Sequence, residues 1–417
     1  VAIYCFQSKL PFFFFLDMSV IDLLLNKDKW QEFLEYKLAK SHLSKIDEQH
    51  LIEYVNDEKY LEVATAIVDG TYVFSIPKKV FINKIGTSKK RVIYTFDENE
   101  NIILKYILFC MSKYDSAFSG NCFAFRKNLT IRHALYTILN KENIDGHYAY
   151  KLDIQNYFNS INVDKLLPML KTILRDDDRL FALLENILCC NKATINGEVV
   201  TEKHGVMAGT PISTFLANVY LSDLDEYFLQ NNVHYARYSD DIIVFAESIE
   251  KLEEYKEYIY SVLENKELTV NPSKENLYLP HQPWHFLGFE YCDGTIDLSD
   301  VTVQKIKDKI RRKARAVYRW KIRKDKTTEH AIKVMIRVFN NKFFRELNTK
   351  DLTWSKWFFP TITSSKKLND IDKYLVQYLR YLYKGKFSKT NYNIRYNDLK
   401  ALGYRSLVNE YYKYHKK

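Results

Sequence analysis

The spacing of apolar positions divides the chain by period. From Val20 to about Val68, Trp30, Phe33, Leu34, Leu38, Leu51, Tyr54 and Val55 recur three and four residues apart, which predicts a small helical segment. Over residues 72–96 the period shortens. Residues 72–77 and 91–96 read as strands, joined by a lysine-rich hairpin that turns at Gly86-Thr87-Ser88. Residues 97–143 return to helix, interrupted at Ser119-Gly120-Asn121. Residues 147–153 predict a strand that ends in an acid, Asp153. Gly209-Thr210-Pro211 opens a helix carrying Phe215, Leu216, Val219, Tyr220 and Leu224 on one side. Strand formers then flank Tyr238-Ser239-Asp240-Asp241, so two acids fall at the tip of a tight hairpin. A helix over about Ile249–Asn265 follows, then a second hairpin over residues 284–291 with a turn at Asp293-Gly294. Residues 301–326 contain neither Gly nor Pro. Val303, Ile306, Ile310, Ala314 and Val317 form one stripe of a long helix there. Beyond Thr327 the helical pattern continues and is rich in tyrosine, which reads as aromatic packing in a helical array.

Composition makes this a folded protein. The chain has 417 residues, 47% apolar and 27% charged, enough for two or three domains. The net charge of +10 points to polyanionic partners, and its distribution sharpens that. Residues 305–326 hold twelve Lys or Arg against Asp308 and Asp325 alone, a local stripe suited to nucleic acid. The six cysteines form no CxxC pair and no zinc spacing with histidine, so they read as reduced thiols of a cytoplasmic protein. Residues 10–16 are strongly apolar, yet a membrane span needs about 20 residues, so no membrane partner is expected.

Several stretches could carry chemistry. Adjacent carboxylates repel unless a cation sits between them, and Mg²⁺ favours carboxylate and phosphate oxygen. A surface turn also uses Asp freely, so Asp240-Asp241 alone leaves both readings open. The lysine-rich hairpin could hold a triphosphate or be a solvated turn. Phe125-Arg126, in a basic aromatic loop before a helix, suits backbone phosphate or ordinary packing. Small residues at Gly209-Thr210-Pro211 would let a nucleotide or template approach the backbone.

Taken in order, these stretches resemble the reverse transcriptases, specifically the prokaryotic ones. The resemblance rests on the basic flap, Phe125-Arg126, Lys151-Leu152-Asp153-Ile154, Gly209-Thr210-Pro211-Ile212-Ser213 with Asn218, Tyr238-Ser239-Asp240-Asp241, Lys274, and Phe286-Leu287-Gly288-Phe289. It implies an α+β fold of the right-hand polymerase kind. Residues 1–71 would be a helical extension, 72–146 fingers, 147–298 an antiparallel palm with part of the fingers, and 299–417 a helical thumb and C-terminal region. It implies that Asp153, Asp240 and Asp241, with Ile154 beside them, bind two Mg²⁺ ions, for which Mn²⁺ can substitute. Lys84 and Arg91 would hold the triphosphate, with Gly209 and Pro211 at the nucleotide. Lys274 would protonate pyrophosphate. Phe158, five residues after Asp153, would be the ring that excludes a ribose 2′-hydroxyl. Arg126, Phe286, Leu287, Gly288, Lys305, Lys309, Arg312, Arg315 and Arg319 would contact nucleic acid. The expected partners are an RNA template, a cDNA product and deoxynucleoside triphosphates, with a homo-oligomer left open.

The departures narrow the resemblance. Ala208 stands where many prokaryotic members have Gln, and Thr214 where they often have Pro. The retron-type Val-Thr-Gly near the C-terminus is missing, as are maturase or endonuclease features and a zinc site. The chain is thus most similar to the unaffiliated, defence-associated enzymes of bacteria, which act against phage and use a structured non-coding RNA encoded beside them. Two alternatives stay open: a retron or group II intron-like mobile-element enzyme, and a catalytically silent RNA-binding scaffold.

Overall fold

The computed structural model describes residues 18–40, 43–83, 90–140, 142–202, 205–344 and 353–416. The apolar stretch at residues 10–16, Lys84 and the Gly86-Thr87-Ser88 turn lie outside the described residues. The chain is α+β, with antiparallel strand pairs in each of three sheets. It separates into two compact units. One comprises the chain before residue 142 together with Tyr150–Asn276. The other comprises Glu142–Ala149 and the chain from Leu277 onward. The division falls ahead of the Trp284–Phe286 strand, whereas the sequence grouped that region with the preceding sheet.

The first unit opens with helices Lys27–Lys40, Lys45–Asn56 and Leu61–Val68. Their apolar periodicity converges on Trp30, which is fully buried and stacked against Tyr60 and Tyr106 with ring centroids 4.3 and 3.8 Å away. Burying a ring system of that size dominates such a small core. Residues 72–77 are not a strand. Ser75 N and the Tyr72 hydroxyl donate to the buried Glu100 carboxylate, at 2.6 and 3.1 Å, so these groups are satisfied by a side chain and not by a ladder. Pro77 has no N–H to give one. The first strand is instead β1 (Lys78–Asn83), inside the basic hairpin itself, and β2 (Lys90–Thr95) falls where residues 91–96 were expected to form a strand.

β3 (Tyr148–Asp153) ends on its acid as expected. The strands β4 (Lys192–Ile195) and β5 (Glu198–Thr201), absent from the sequence reading, extend the β1-β2 sheet in the order β2-β1-β4-β5. β6 (Tyr235–Tyr238) and β7 (Asp241–Ala246) pair antiparallel, with Tyr238 opposite Asp241, so Ser239-Asp240 is the two-residue turn. β7 lies between β6 and β3 in one sheet. Helix Ser213–Tyr220 has Phe215, Leu216, Val219 and Tyr220 buried, as its spacing predicts.

In the second unit, after β8 (Asn276–Tyr278), the expected hairpin is a three-stranded meander: β9 (Trp284–Phe286), β10 (Phe289–Cys292) and β11 (Thr295–Leu298). Leu287-Gly288 and Asp293-Gly294 both have positive φ, and each makes a tight turn, so one hairpin becomes two. Helix Asp300–Arg323 buries the five predicted residues, Val303, Ile306, Ile310, Ala314 and Val317. It packs in this unit against helices Thr328–Phe344 and Lys366–Tyr381. No helix of the described residues is long and apolar enough to cross a membrane.

Candidate active site

Every part of the acidic site belongs to the first unit. Adjacent strands bring the acids together. Ile154 N donates to Asp240 O at 3.0 Å, so the end of β3 is stitched to the β6–β7 turn. The other side of β3 is held by the segment after the Ile249–Asn265 helix. Gln155 N donates to Thr269 O and Asn271 N to Asp153 O, each at 2.8 Å. Asp153 is buried, and Asp240 and Asp241 are half-buried. Lys274 Nζ lies 2.5 Å from Asp153 Oδ2, and Lys151 Nζ lies 3.7 Å from Asp241 Oδ1. Asn271 Nδ2 reaches Asp153 Oδ1 at 3.5 Å.

The acids are still under-neutralised. Burial, then the charges of Asp153 and Asp241, push the Asp240 carboxyl up to about 6. Burial also raises Asp241, against the pull of Lys151. Ser239 Oγ, in the same turn, is buried without a protein partner. Among the described residues no group of three or more His, Cys, Asp or Glu is already drawn together around a metal position. The donor chemistry nevertheless fits a divalent cation. Three carboxylates supply hard oxygen, and a cation would relieve the repulsion that raises Asp240.

Beneath the turn lies a second ionic group that the sequence reading missed. Arg237, completely buried, donates through Nε to Asp225 Oδ1 at 2.8 Å and through Nη2 to Asp225 Oδ2 at 2.5 Å. Nη1 also reaches Ser239 O and Nη2 reaches Asn218 O, both at 3.3 Å. Tyr235, two residues earlier on the same face, donates to Asp225 Oδ1 at 2.9 Å. The available signal was an arginine at an inward position of an apolar strand. Such a charge is buried only with a partner. Asn271 and Lys151 were missed too, because nothing local marks either as reaching a carboxylate.

The turn at Gly209 meets the basic hairpin. Gly209 has φ +104°, and a Cβ there would lie 2.9 Å from Tyr94 O, so only glycine fits. Tyr94 N donates to Ala208 O at 2.7 Å. Gly209 is thus exposed beside β2, which carries the exposed Arg91, while Pro211 is half-buried at the mouth of its helix. Phe158 is half-buried, on a short helix reached through Asn156 in the left-handed region.

Two expected nucleic-acid contacts are directed elsewhere. Arg126 turns inward: Nη1 donates to Ser119 O and Cys122 O, and Nη2 to Asp115 O, at 2.9, 3.0 and 2.9 Å. Three loop carbonyls, two of which also accept a backbone N–H, take up the guanidinium fork. Phe286 is fully buried in the second unit, because the alternation of β9 points Trp284 and Phe286 inward. Leu287 and Gly288 remain half-buried in the turn. On the long helix Lys305, Arg312, Arg315 and Arg319 are exposed, and Lys309 is half-buried.

An α+β chain with three carboxylates gathered at the ends of adjacent strands, beside a glycine turn that backs a basic hairpin, has the make-up of a nucleotide-transferring enzyme. Residues 76–291, about half of the chain, match the family model described as reverse transcriptase (RNA-dependent DNA polymerase), and the chain belongs to that family. That family generally uses divalent metal ions. The chain is similar to the retron Ec86 reverse transcriptase of Escherichia coli, 22% identical over 40% of this chain and 50% of the relative. It is also similar to the group II intron-encoded protein LtrA of Lactococcus lactis, 24% identical over 45% of this chain and 31% of the relative. The match therefore spans about half of the first relative's length and about a third of the second's. Among solved structures, apo telomerase from Candida tropicalis, truncated from its C-terminal domain, aligns at TM-score 0.43 and 16% identity over 54% of this chain and 55% of that one. Telomerase from Candida albicans with a fragment of telomeric RNA aligns at TM-score 0.43 and 12% identity over 88% and 71%.

Proposed function

We propose that the protein is an RNA-directed DNA polymerase that makes cDNA from an RNA template. The observation that carries this reading is the meeting of Asp153 with the Asp240-Asp241 turn, through the bond from Ile154 N to Asp240 O. Asp153, Asp240 and Asp241, with Ile154 beside them, would hold divalent ions, Mg²⁺ in the cell. Bound there, these ions would activate the primer 3′-hydroxyl and neutralise the triphosphate. The chain's own residues do the rest. Arg91, with Lys84, binds the triphosphate. Gly209 and Pro211 let the nucleotide lie against the backbone. Phe158 excludes a 2′-hydroxyl. Lys274, paired with Asp153, is the ammonium that can release a proton to the departing pyrophosphate. Asn271 and the Arg237–Asp225 pair orient the carboxylates without touching substrate. On this reading residues 72–146 are fingers, 147–298 palm and 299–417 thumb and C-terminal region, with 1–71 an extension. The exposed Lys305, Arg312, Arg315 and Arg319 track the nucleic-acid backbone by charge.

The finer reading is a bacterial antiphage enzyme in the cytoplasm, copying a structured non-coding RNA. The departures at Ala208 and Thr214 support it. A second reading, replication of a mobile element, is favoured by the retron and intron relatives. Cells carrying the gene and its flanking sequence separate the two. Defence predicts cDNA copied from an adjacent RNA and protection from phage, both lost in Asp240→Ala with Asp241→Ala. Protection that survives the double substitution would rule out the polymerase mechanism.

A further inference from the structure

Phe125 combines three features that do not normally coincide. Its φ is +61°, in the left-handed region that bulky side chains avoid. The residue is 48% exposed, so core packing does not explain it. Hydrogen bonds pin the chain on both sides of it. Phe123 N donates to Arg237 O at 3.0 Å and Asn218 Nδ2 to Ala124 O at 2.7 Å, while Arg126 is held by three carbonyls. Glycine or asparagine would take this conformation at less cost. An aromatic in a strained, over-determined position points to a use for the ring itself.

Among the described residues the ring pairs with two other aromatic rings. It meets Phe158 edge-to-face, with centroids 6.1 Å apart and planes at 68°. It meets Tyr238, the first residue of the acidic motif, at 6.4 Å and 45°. Both distances are those of favourable aromatic pairs. Phe158 is half-buried on a helix of four residues, Tyr157–Ser160; its backbone is tied by Val206 N to Phe158 O at 2.8 Å, and its ring also meets Tyr157 at 5.7 Å.

We infer that Phe125 is a specificity-determining positioning residue, whose rigid ring braces Phe158 and thereby sets how strictly a ribose 2′-hydroxyl is excluded. The inference rests on Phe158 being the excluding ring. Unbraced, Phe158 regains rotamer freedom and can swing from the sugar. The strained loop, held by Arg126, exists to present the brace. This gives Arg126 a place in substrate choice without a contact to nucleic acid.

Single-nucleotide incorporation on an RNA template, with a deoxynucleotide and the matching ribonucleotide, tests this in wild type, Phe158→Ala, Phe125→Gly, Phe125→Leu, Phe125→Tyr and the Phe125→Gly/Phe158→Ala double variant. Thermal melting is followed in parallel. Phe125→Gly should relieve the φ constraint and melt no lower than wild type. It should also lower discrimination on the order of tenfold, the scale of one aromatic pair, through the ribonucleotide KM and not kcat. Phe125→Leu should do the same without glycine's flexibility, and Phe125→Tyr should retain discrimination. The double variant should discriminate no worse than Phe158→Ala alone. If Phe158→Ala discriminates poorly while Phe125→Gly and Phe125→Leu match wild type, or if the two losses add, the brace is refuted and the excluding ring stands. Unchanged discrimination in Phe158→Ala removes the excluding ring, and the brace with it.

Discussion

Two ionic groups lie close together in the first unit and are built in opposite ways. Arg237 and Asp225 are both completely buried, and the guanidinium matches the carboxylate through two hydrogen bonds, at 2.8 and 2.5 Å. Asp225 also accepts from Tyr235, and Arg237 donates to two carbonyls, so the charges balance with few loose ends. The Asp153–Asp240–Asp241 group is the reverse. Burial and the neighbouring carboxylates push Asp240 up to about 6 despite the lysines, and Asp240 and Asp241 are half-buried at the ends of the inner strands β3 and β7. A satisfied buried pair holds a turn in one shape, whereas an unsatisfied cluster on that turn is poised to take a cation. On the proposed function, the contrast separates the residues that position from the residues that react.

Arg237→Leu gives the largest expected effect on stability. It leaves Asp225 buried without its partner and should cost about 3–5 kcal/mol in urea unfolding, whereas adding Asp225→Leu should recover most of that loss. A double variant as unstable as the single one would mean that the pair is not the balanced unit described. Lys274→Met should act the other way round. The Lys274 side chain is 55% exposed, so stability should move by no more than about 1 kcal/mol, while the single-turnover rate should fall about a hundredfold. An unchanged rate would remove Lys274 from the chemistry. The smallest effect on fold and rate belongs to Arg312→Ala, Arg315→Ala and Arg319→Ala combined. Melting should stay within about 0.5 kcal/mol of wild type, and the salt dependence of RNA affinity should become shallower by about 2–3 in the logarithmic slope. An unchanged slope would take the nucleic acid off this face of the helix.

Most of the site's acidic centre was legible in the sequence, and its supports were not. The Asp240-Asp241 turn, the acid ending β3 and the buried stripe of the long basic helix follow from short-range periodicity, which survives folding unchanged. Tyr72 and Ser75 were misread because a strand-like composition cannot reveal that Glu100, some 25 residues on, takes their donors. β4 and β5 are short, with little apolar alternation, and β4 joins the sheet by pairing with a strand of a distant hairpin. Arg126 looked like a phosphate ligand because a guanidinium suits phosphates and carbonyls alike. Only the fold shows three carbonyls within its reach.

The most direct measurement is RNA-templated primer extension with deoxynucleotides and Mg²⁺, comparing the purified chain with Asp240→Asn plus Asp241→Asn while both melts are recorded. The under-neutralised carboxylates predict extension by the wild-type chain. They predict about a thousandfold or greater loss in the double variant, whose melting temperature is equal to or above wild type because like charges have been removed. Extension that persists in the variant, or a loss explained by its unfolding, would contradict the assignment of these acids to the reaction.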